Sequence, residues 1–145
     1  MSELRKANTD STYFLTFTVV GWIDVFTRSR YCDVIVDSLN YCMEHKGLDV
    51  FAYVIMPSVE NEQGESRSEW MLHMFKYYAK FKEQYKVYQF WQKTSHPIEL
   101  ISHEMIDQKM DYIHENPVEA GLVVDPTSWN YSSANALSPL KVLVT

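Results

Sequence analysis

Ser102-His-Glu-Met-Ile-Asp-Gln-Lys-Met-Asp-Tyr-Ile-His-Glu-Asn-Pro-Val-Glu-Ala-Gly-Leu122 is the stretch on which the reading of this chain turns. Ser102 is a good N-cap residue, and Glu104 and Asp107 sit toward the positive end of a helix dipole. Pro117 lacks the N–H that would carry a helix onward. The pattern predicts one helix over 102–116. Ile106, Met110 and Ile113 recur at i, i+4, i+7 and make an apolar stripe, whereas Gln108, Tyr112 and Asn116 recur at i, i+4, i+8 on another side. Tyr112 is thereby a candidate nucleophile, because a phenol off the apolar stripe with an amide one turn on can work beside a metal-binding or substrate-positioning group. The plainer alternative is a half-buried helical tyrosine whose hydroxyl is wet.

Outward from that helix, residues 94–101 read as a connector, and 86–92 alternate like a short strand. A helix is expected from about Ser68, as N-cap, to Glu83. Residues 58–67 are polar, acidic and aperiodic, and read as a loop. Before it, 48–56 form an apolar strand ended by Pro57. A helix is expected over 30–46, with Ser29 as N-cap, Val34, Ile35, Leu39 and Cys42 at helical spacing, and Gly47 as the C′ glycine. Residues 12–20 are dense in β-branched and aromatic side chains and read as a strand. Residues 1–11 form a polar, flexible leader. Beyond the 102–116 helix, 119–124 are its exit turn and 125–135 are turn-rich, with Trp129 and Tyr131 as anchors.

At 145 residues and 46% hydrophobic content, one domain covering 1–145 is the default. No run of eighteen apolar residues exists and the first residues are polar, so neither a membrane span nor a secretory signal is expected, and the compartment expected is the cytoplasm. Cys32 and Cys42, ten residues apart in one expected helix, would lie about 15 Å apart along its axis, too far to bridge. With a histidine they make no zinc spacing.

The net charge of −6 argues at first against a nucleic-acid partner. Its distribution changes that. Residues 66–93 contain six basic side chains (Arg67, Lys76, Lys80, Lys82, Lys86, Lys93) and two acids (Glu69, Glu83), a local +4 that leaves −10 for the rest of the chain. Nine aromatic residues lie in the same segment. Cations for phosphates interleaved with flat rings for unpaired bases suit single-stranded nucleic acid. The plainer alternative is an aromatic stripe in the core with lysines in water.

The order of Tyr53-Val-Ile-Met-Pro57, Phe90-Trp-Gln-Lys93, Tyr112-Ile-His-Glu-Asn-Pro-Val-Glu-Ala-Gly-Leu122 and Trp129-Asn-Tyr-Ser-Ser-Ala134 resembles the REP-associated tyrosine transposases, single-tyrosine, insertion-sequence members of the HUH nuclease superfamily. The resemblance runs from about Thr12 to the tail. It implies an α+β, ferredoxin-like antiparallel sheet with helices on one face, a homodimer, and DNA transposition. It also implies recognition of hairpin DNA and cleavage of single-stranded DNA beside it, the tyrosine forming a 5′-phosphotyrosine link and freeing a 3′-hydroxyl. A divalent metal, Mg²⁺ or Mn²⁺, is held in that family by a His-x-His pair and by a polar residue one turn after the tyrosine. By this resemblance Tyr112 takes the catalytic position and Asn116 that of the helix-borne metal ligand; the basic, aromatic composition of 66–93 makes Arg67, Lys76, Lys80, Lys82, Lys86 and Lys93 the expected DNA-binding residues.

The chain departs from the family after Met56-Pro57, where Asn-His-x-His is replaced by Ser58-Val59-Glu60-Asn61. None of His45, His73, His96, His103 and His114 belongs to a His-x-His pair. Because the texture after Pro57 matches the acidic loop that the family carries further on, the resemblance implies an internal deletion near 57–60 that removes part of the sheet. A sheet so deprived exposes an edge and must rearrange or pair. Glu60 and Asn61, with His114 or His103, are the substitute oxygen and nitrogen donors on offer for a hard cation. Asp107 and Asp111 read as a solvated helix face. Three functions follow as alternatives: a transposase with impaired cleavage, a catalytically inactive DNA-binding remnant, or a relic without activity.

Overall fold

Each of the three helices expected from the sequence forms in a computed structural model, which describes residues 10–57, 68–80, 88–92 and 96–144. Helix α1 is Ser29–His45, α2 is Ser68–Ala79 and α3 is His103–Glu119. The strands are brief: β1, Tyr13–Phe14, pairs antiparallel with β2, Ile98–Glu99, in the register Tyr13 opposite Glu99 and Phe14 opposite Ile98. The class is α+β, and the only sheet among the described residues is this two-stranded ribbon. No described helix is long and apolar enough to cross a membrane.

Two compact units are formed, one within Met1–Asp24 and Ser58–Leu100, the other within Val25–Pro57 and Ile101–Thr145. In the first, Leu100 N–H donates to the Thr12 carbonyl at 2.8 Å beside the ribbon, and a second antiparallel contact pairs Val19 with Trp91. Around it Val20 N–H donates to Phe90 O and Gln92 N–H to Thr18 O, both at 2.7 Å. Among the described residues, the expected strand over 12–20 is seen as β1 and the Val19 bridge. Leu15 and Phe17, at alternate positions of this run, are exposed. Met71, Phe75 and Ala79 of α2, at i, i+4, i+8, are the buried stripe of this unit with Val19, Val20 and Ile23. Gln89 is buried too, and its side-chain amide donates to the Trp91 carbonyl at 3.0 Å.

Between Val19 and Ile23 the chain makes a tight 3-10 turn at Val20–Trp22. Gly21 has φ 63° and Trp22 φ 54°, two successive left-handed residues of which only the first is suited to it. A left-handed tryptophan costs roughly 1–2 kcal/mol. It is held by the Trp22 N–H bond to Val19 O at 3.1 Å and by the pairing of Val20 with Phe90.

In the second unit Cys32, Val36, Tyr53, Ile55 and Leu140 form the core, with Phe26, Ile35, Leu39, Met43, Val50, Tyr131 and Val142 packed on it. The buried face of α1 therefore runs through Cys32 and Val36, and Val34, expected on the apolar stripe, is 58% exposed. The N-cap of α1 is Arg28 rather than Ser29, and Gly47, at φ 70°, follows its C-cap Lys46 as expected. Residues 48–56 are extended but form one bridge, Val54 with Ser132, instead of a strand. Side-chain hydrogen bonding explains this: Tyr53 N–H donates to Ser133 Oγ at 3.0 Å, not to a ladder carbonyl. The flanking Ile55 N–H to Tyr131 O and Ser133 N–H to Tyr53 O bonds complete the contact. Both cysteines are free thiols.

Two helix ends depart from expectation. The described part of the 68–83 segment is helical to Ala79 and turns at Lys80; 81–83 lie outside the described residues. Helix α3 does not stop at 116 but passes through Pro117 to Glu119. Proline removes one hydrogen bond and crowds the preceding turn, at a cost of about 3 kcal/mol. Here its ring is among the most deeply buried side chains, and its carbonyl accepts Leu122 N–H at 2.9 Å in the closing turn. Burial of the ring and a satisfied helix end offset the loss.

Candidate functional site

Helix α3 starts where Ser102 Oγ accepts Met105 N–H at 3.2 Å, which fixes the rotation of every side chain that follows. Ile106, Met110 and Ile113 are half-buried along one side. Tyr112 projects elsewhere and is 51% exposed, with Lys109 Nζ 5.6 Å from its ring centroid. At that distance the ammonium is drawn to the ring face and adds positive potential beside the phenol. Asn116 follows one turn on, half-buried, its carbonyl accepting Ala120 N–H at 2.9 Å. The phenol and amide singled out in the sequence are therefore neighbours on one uninterrupted helix.

The described candidate ligands, His103 and His114, do not gather round that pair. Glu60 and Asn61 lie outside the described residues. His114 turns to Ser133, with Nε2 at 2.8 Å from the hydroxyl, and burial holds its pKa below the ordinary histidine value against the opposing pull of Asp111 and Glu115. His103 is an exposed first-turn residue, and Asp107 and Asp111 are exposed. Asp125, whose carboxyl is pulled below its usual range by hydrogen bonds from Thr127, caps the turn 126–128 that packs against α3. Among the described residues no group of three or more His, Cys, Asp or Glu could hold a metal ion. The described donors around Tyr112 thus do not fit a divalent-cation centre, for which several oxygen ligands must converge.

Of the six basic residues assigned to DNA, Lys76 and Lys80 are described and both are exposed, at and just beyond the end of α2. Arg67, Lys82, Lys86 and Lys93 lie outside the described residues. Lys76 Nζ stands 5.6 Å from the centroid of the Tyr88 ring, itself 44% exposed. The aromatic segment divides: Phe75 is core, whereas Trp70, Tyr77 and Tyr88 are exposed. Among its described residues the segment thus supplies both core and solvent-facing rings. Lys76 and Lys80 belong to the first unit, Tyr112 and Asn116 to the second.

The residue the sequence passes over is Phe17, 61% exposed with its ring centroid 5.7 Å from that of Trp91. Its place in a β-branched, aromatic run gives no signal of exposure. No family model matches the chain, nor does any curated protein or solved structure.

Proposed function

We propose that this chain is a transposase-family protein of the single-tyrosine type that binds single-stranded or hairpin DNA, with Tyr112 in the nucleophile's position and strand cleavage impaired. The observation that carries the reading is the exposed Tyr112 phenol one turn from Asn116 on a capped helix. A phenol attacking a phosphodiester gives up its proton, bonds to phosphorus and releases the 3′ oxygen as a hydroxyl. A phenol is a weak nucleophile at neutral pH unless the phosphate is activated. In the family a divalent cation supplies that activation. The sequence lacks the histidine pair, and the described donors do not replace it, so the reading rests on DNA binding with cleavage reduced or lost.

Binding draws on the local +4 of residues 66–93 and on the lysine-aromatic pair Lys76–Tyr88. The reading extends to a ferredoxin-like sheet from which part is missing or rearranged, supported by the antiparallel approach of the N-terminal segment to residues 90–92 and 98–99, and to a homodimer. A catalytically inactive DNA-binding module is the second reading, favoured by the engagement of His114 with Ser133 rather than with the Tyr112 face.

The test is a gel assay of the protein with hairpin oligonucleotides, with and without Mn²⁺ or Mg²⁺, beside Tyr112→Phe. A covalent protein–DNA band that needs Tyr112 and metal establishes surviving cleavage. A shifted, non-covalent complex equal in both proteins establishes the binding module. No complex with any oligonucleotide sinks both readings.

A further inference from the structure

We propose that Phe17, supported by Trp91, is a base-stacking ring for single-stranded DNA on the first unit, which also carries the Lys76–Tyr88 pair. This rests on the DNA reading above and names the surface that serves it. Three observations carry it.

The first is how Phe17 is held. It lies two residues before Val19, which is bridged to Trp91, so Phe17 and Trp91 are diagonal neighbours across an antiparallel pair. Their rings meet at 5.7 Å and 55°. Trp91 in turn stands edge-on to Phe90 at 4.6 Å, and Phe90 packs at 5.1 Å on Phe75, which is 7% exposed. A continuous stack of rings thus runs from the core of the unit to a phenylalanine that is mostly in water. An exposed ring so anchored has little freedom left to lose when a base settles on it.

The second is charge. Tyr88, three residues along the same segment as Trp91, carries the Lys76 ammonium near its face. A ring for the base beside a cation for the phosphate is the pairing that single-stranded DNA requires. The third is that Lys76 and Lys80, both exposed, set positive charge on the described end of α2 in the same unit, within a protein of net charge −6. An anionic, aromatic ligand complements exposed rings and positive charge at once.

The decisive experiment compares the full chain with Phe17→Ala and Phe17→Trp by fluorescence anisotropy. The probes are an oligothymidylate of about fifteen nucleotides, a length within known single-strand site sizes, and an abasic deoxyribose-phosphate oligomer of equal length. Thermal unfolding checks that each variant is folded. Stacking predicts that Phe17→Ala weakens oligothymidylate binding about five- to one-hundred-fold, that Phe17→Trp restores it, and that abasic binding and the salt slope are unchanged, because a lost ring releases no counterions. Wild-type affinity in Phe17→Ala overturns the stacking role and leaves the DNA reading standing. Absence of binding by the wild-type protein to the oligothymidylate and to hairpins removes the DNA reading and the stacking role together. Concentration-dependent self-association that Phe17→Ala abolishes, without change in DNA affinity, assigns the ring to a protein contact instead.

Discussion

The imidazole of His114 meets the hydroxyl of Ser133 at 2.8 Å, and the same hydroxyl accepts the backbone N–H of Tyr53, so one oxygen joins α3, the 48–56 segment and the C-terminal segment. Burial lowers the His114 pKa below its ordinary value. An unfolded histidine titrates near about 6.5, so between that value and the lower folded one the unfolded chain binds more protons. The stability that neutral His114 contributes is present above about pH 6.5 and falls as pH drops toward the folded pKa. Urea unfolding is expected to show a lower midpoint at about pH 5.5 than at about pH 7.5, and His114→Gln is expected to shrink that difference. An undiminished difference in the variant would place its source elsewhere.

Trp129 Nε1–H donates to the Ile55 carbonyl at 2.9 Å across 74 residues of sequence. Trp129→Phe keeps a ring but leaves that carbonyl without its partner, at a cost of about 1–3 kcal/mol. Denaturant titration should show the loss in midpoint with the slope unchanged.

Gly21 and Gly47 share a left-handed backbone and differ in surroundings. A Cβ at Gly47 meets nothing within 4 Å, whereas one at Gly21 falls 2.6 Å from Tyr78 Oη and 2.7 Å from Cε2. Gly47→Ala is expected to cost only the conformational penalty, roughly 1–2 kcal/mol. Gly21→Ala must also push the Tyr78 ring from its edge-on contact with Tyr77, adding about 1–3 kcal/mol. Equal stabilities for the two variants would contradict the close approach at Gly21.

Cys32 is 2% exposed and burial pushes its thiol up to about 11, whereas Cys42 is half-buried on the same helix. Because the thiolate is the reacting form, an aromatic disulfide reagent should label one cysteine of the native protein readily and the second only on unfolding. Rapid labelling of both in buffer would show that α1 opens locally.

What the sequence discloses best is helix. The caps at Ser102 and Gly47 and the face assignment of Tyr112 all stand in the structure, because they depend on contacts within a few residues. Strands are another matter. The run over 48–56 has every compositional mark of a strand, yet Ser133, 80 residues away, takes the Tyr53 N–H with its hydroxyl and replaces the ladder. No local pattern announces a partner at that separation. Pro117 misleads for a related reason: its local effect is to end a helix, and the burial that offsets it is a property of the assembled unit. The exposed phenol beside Asn116 is legible from spacing, but the anchoring of Phe17 is not, since the diagonal that sets it on Trp91 exists only after two distant segments pair.

The second unit is closed by ties between residues 53–55 and residues 129–138: the Tyr53 and Ser138 hydroxyls, Trp129 with Ile55, and Ser133 with Tyr53. Synthesis runs from the N-terminus, so α1 is made well before the segment that completes its core. The apolar side chains of 50–55 then have no native cover, and the slow, non-local step that covers them waits until Leu140 has emerged. Between the emergence of Ile55 and that of Leu140, the apolar face of α1 and of 50–55 is the surface most open to wrong partners.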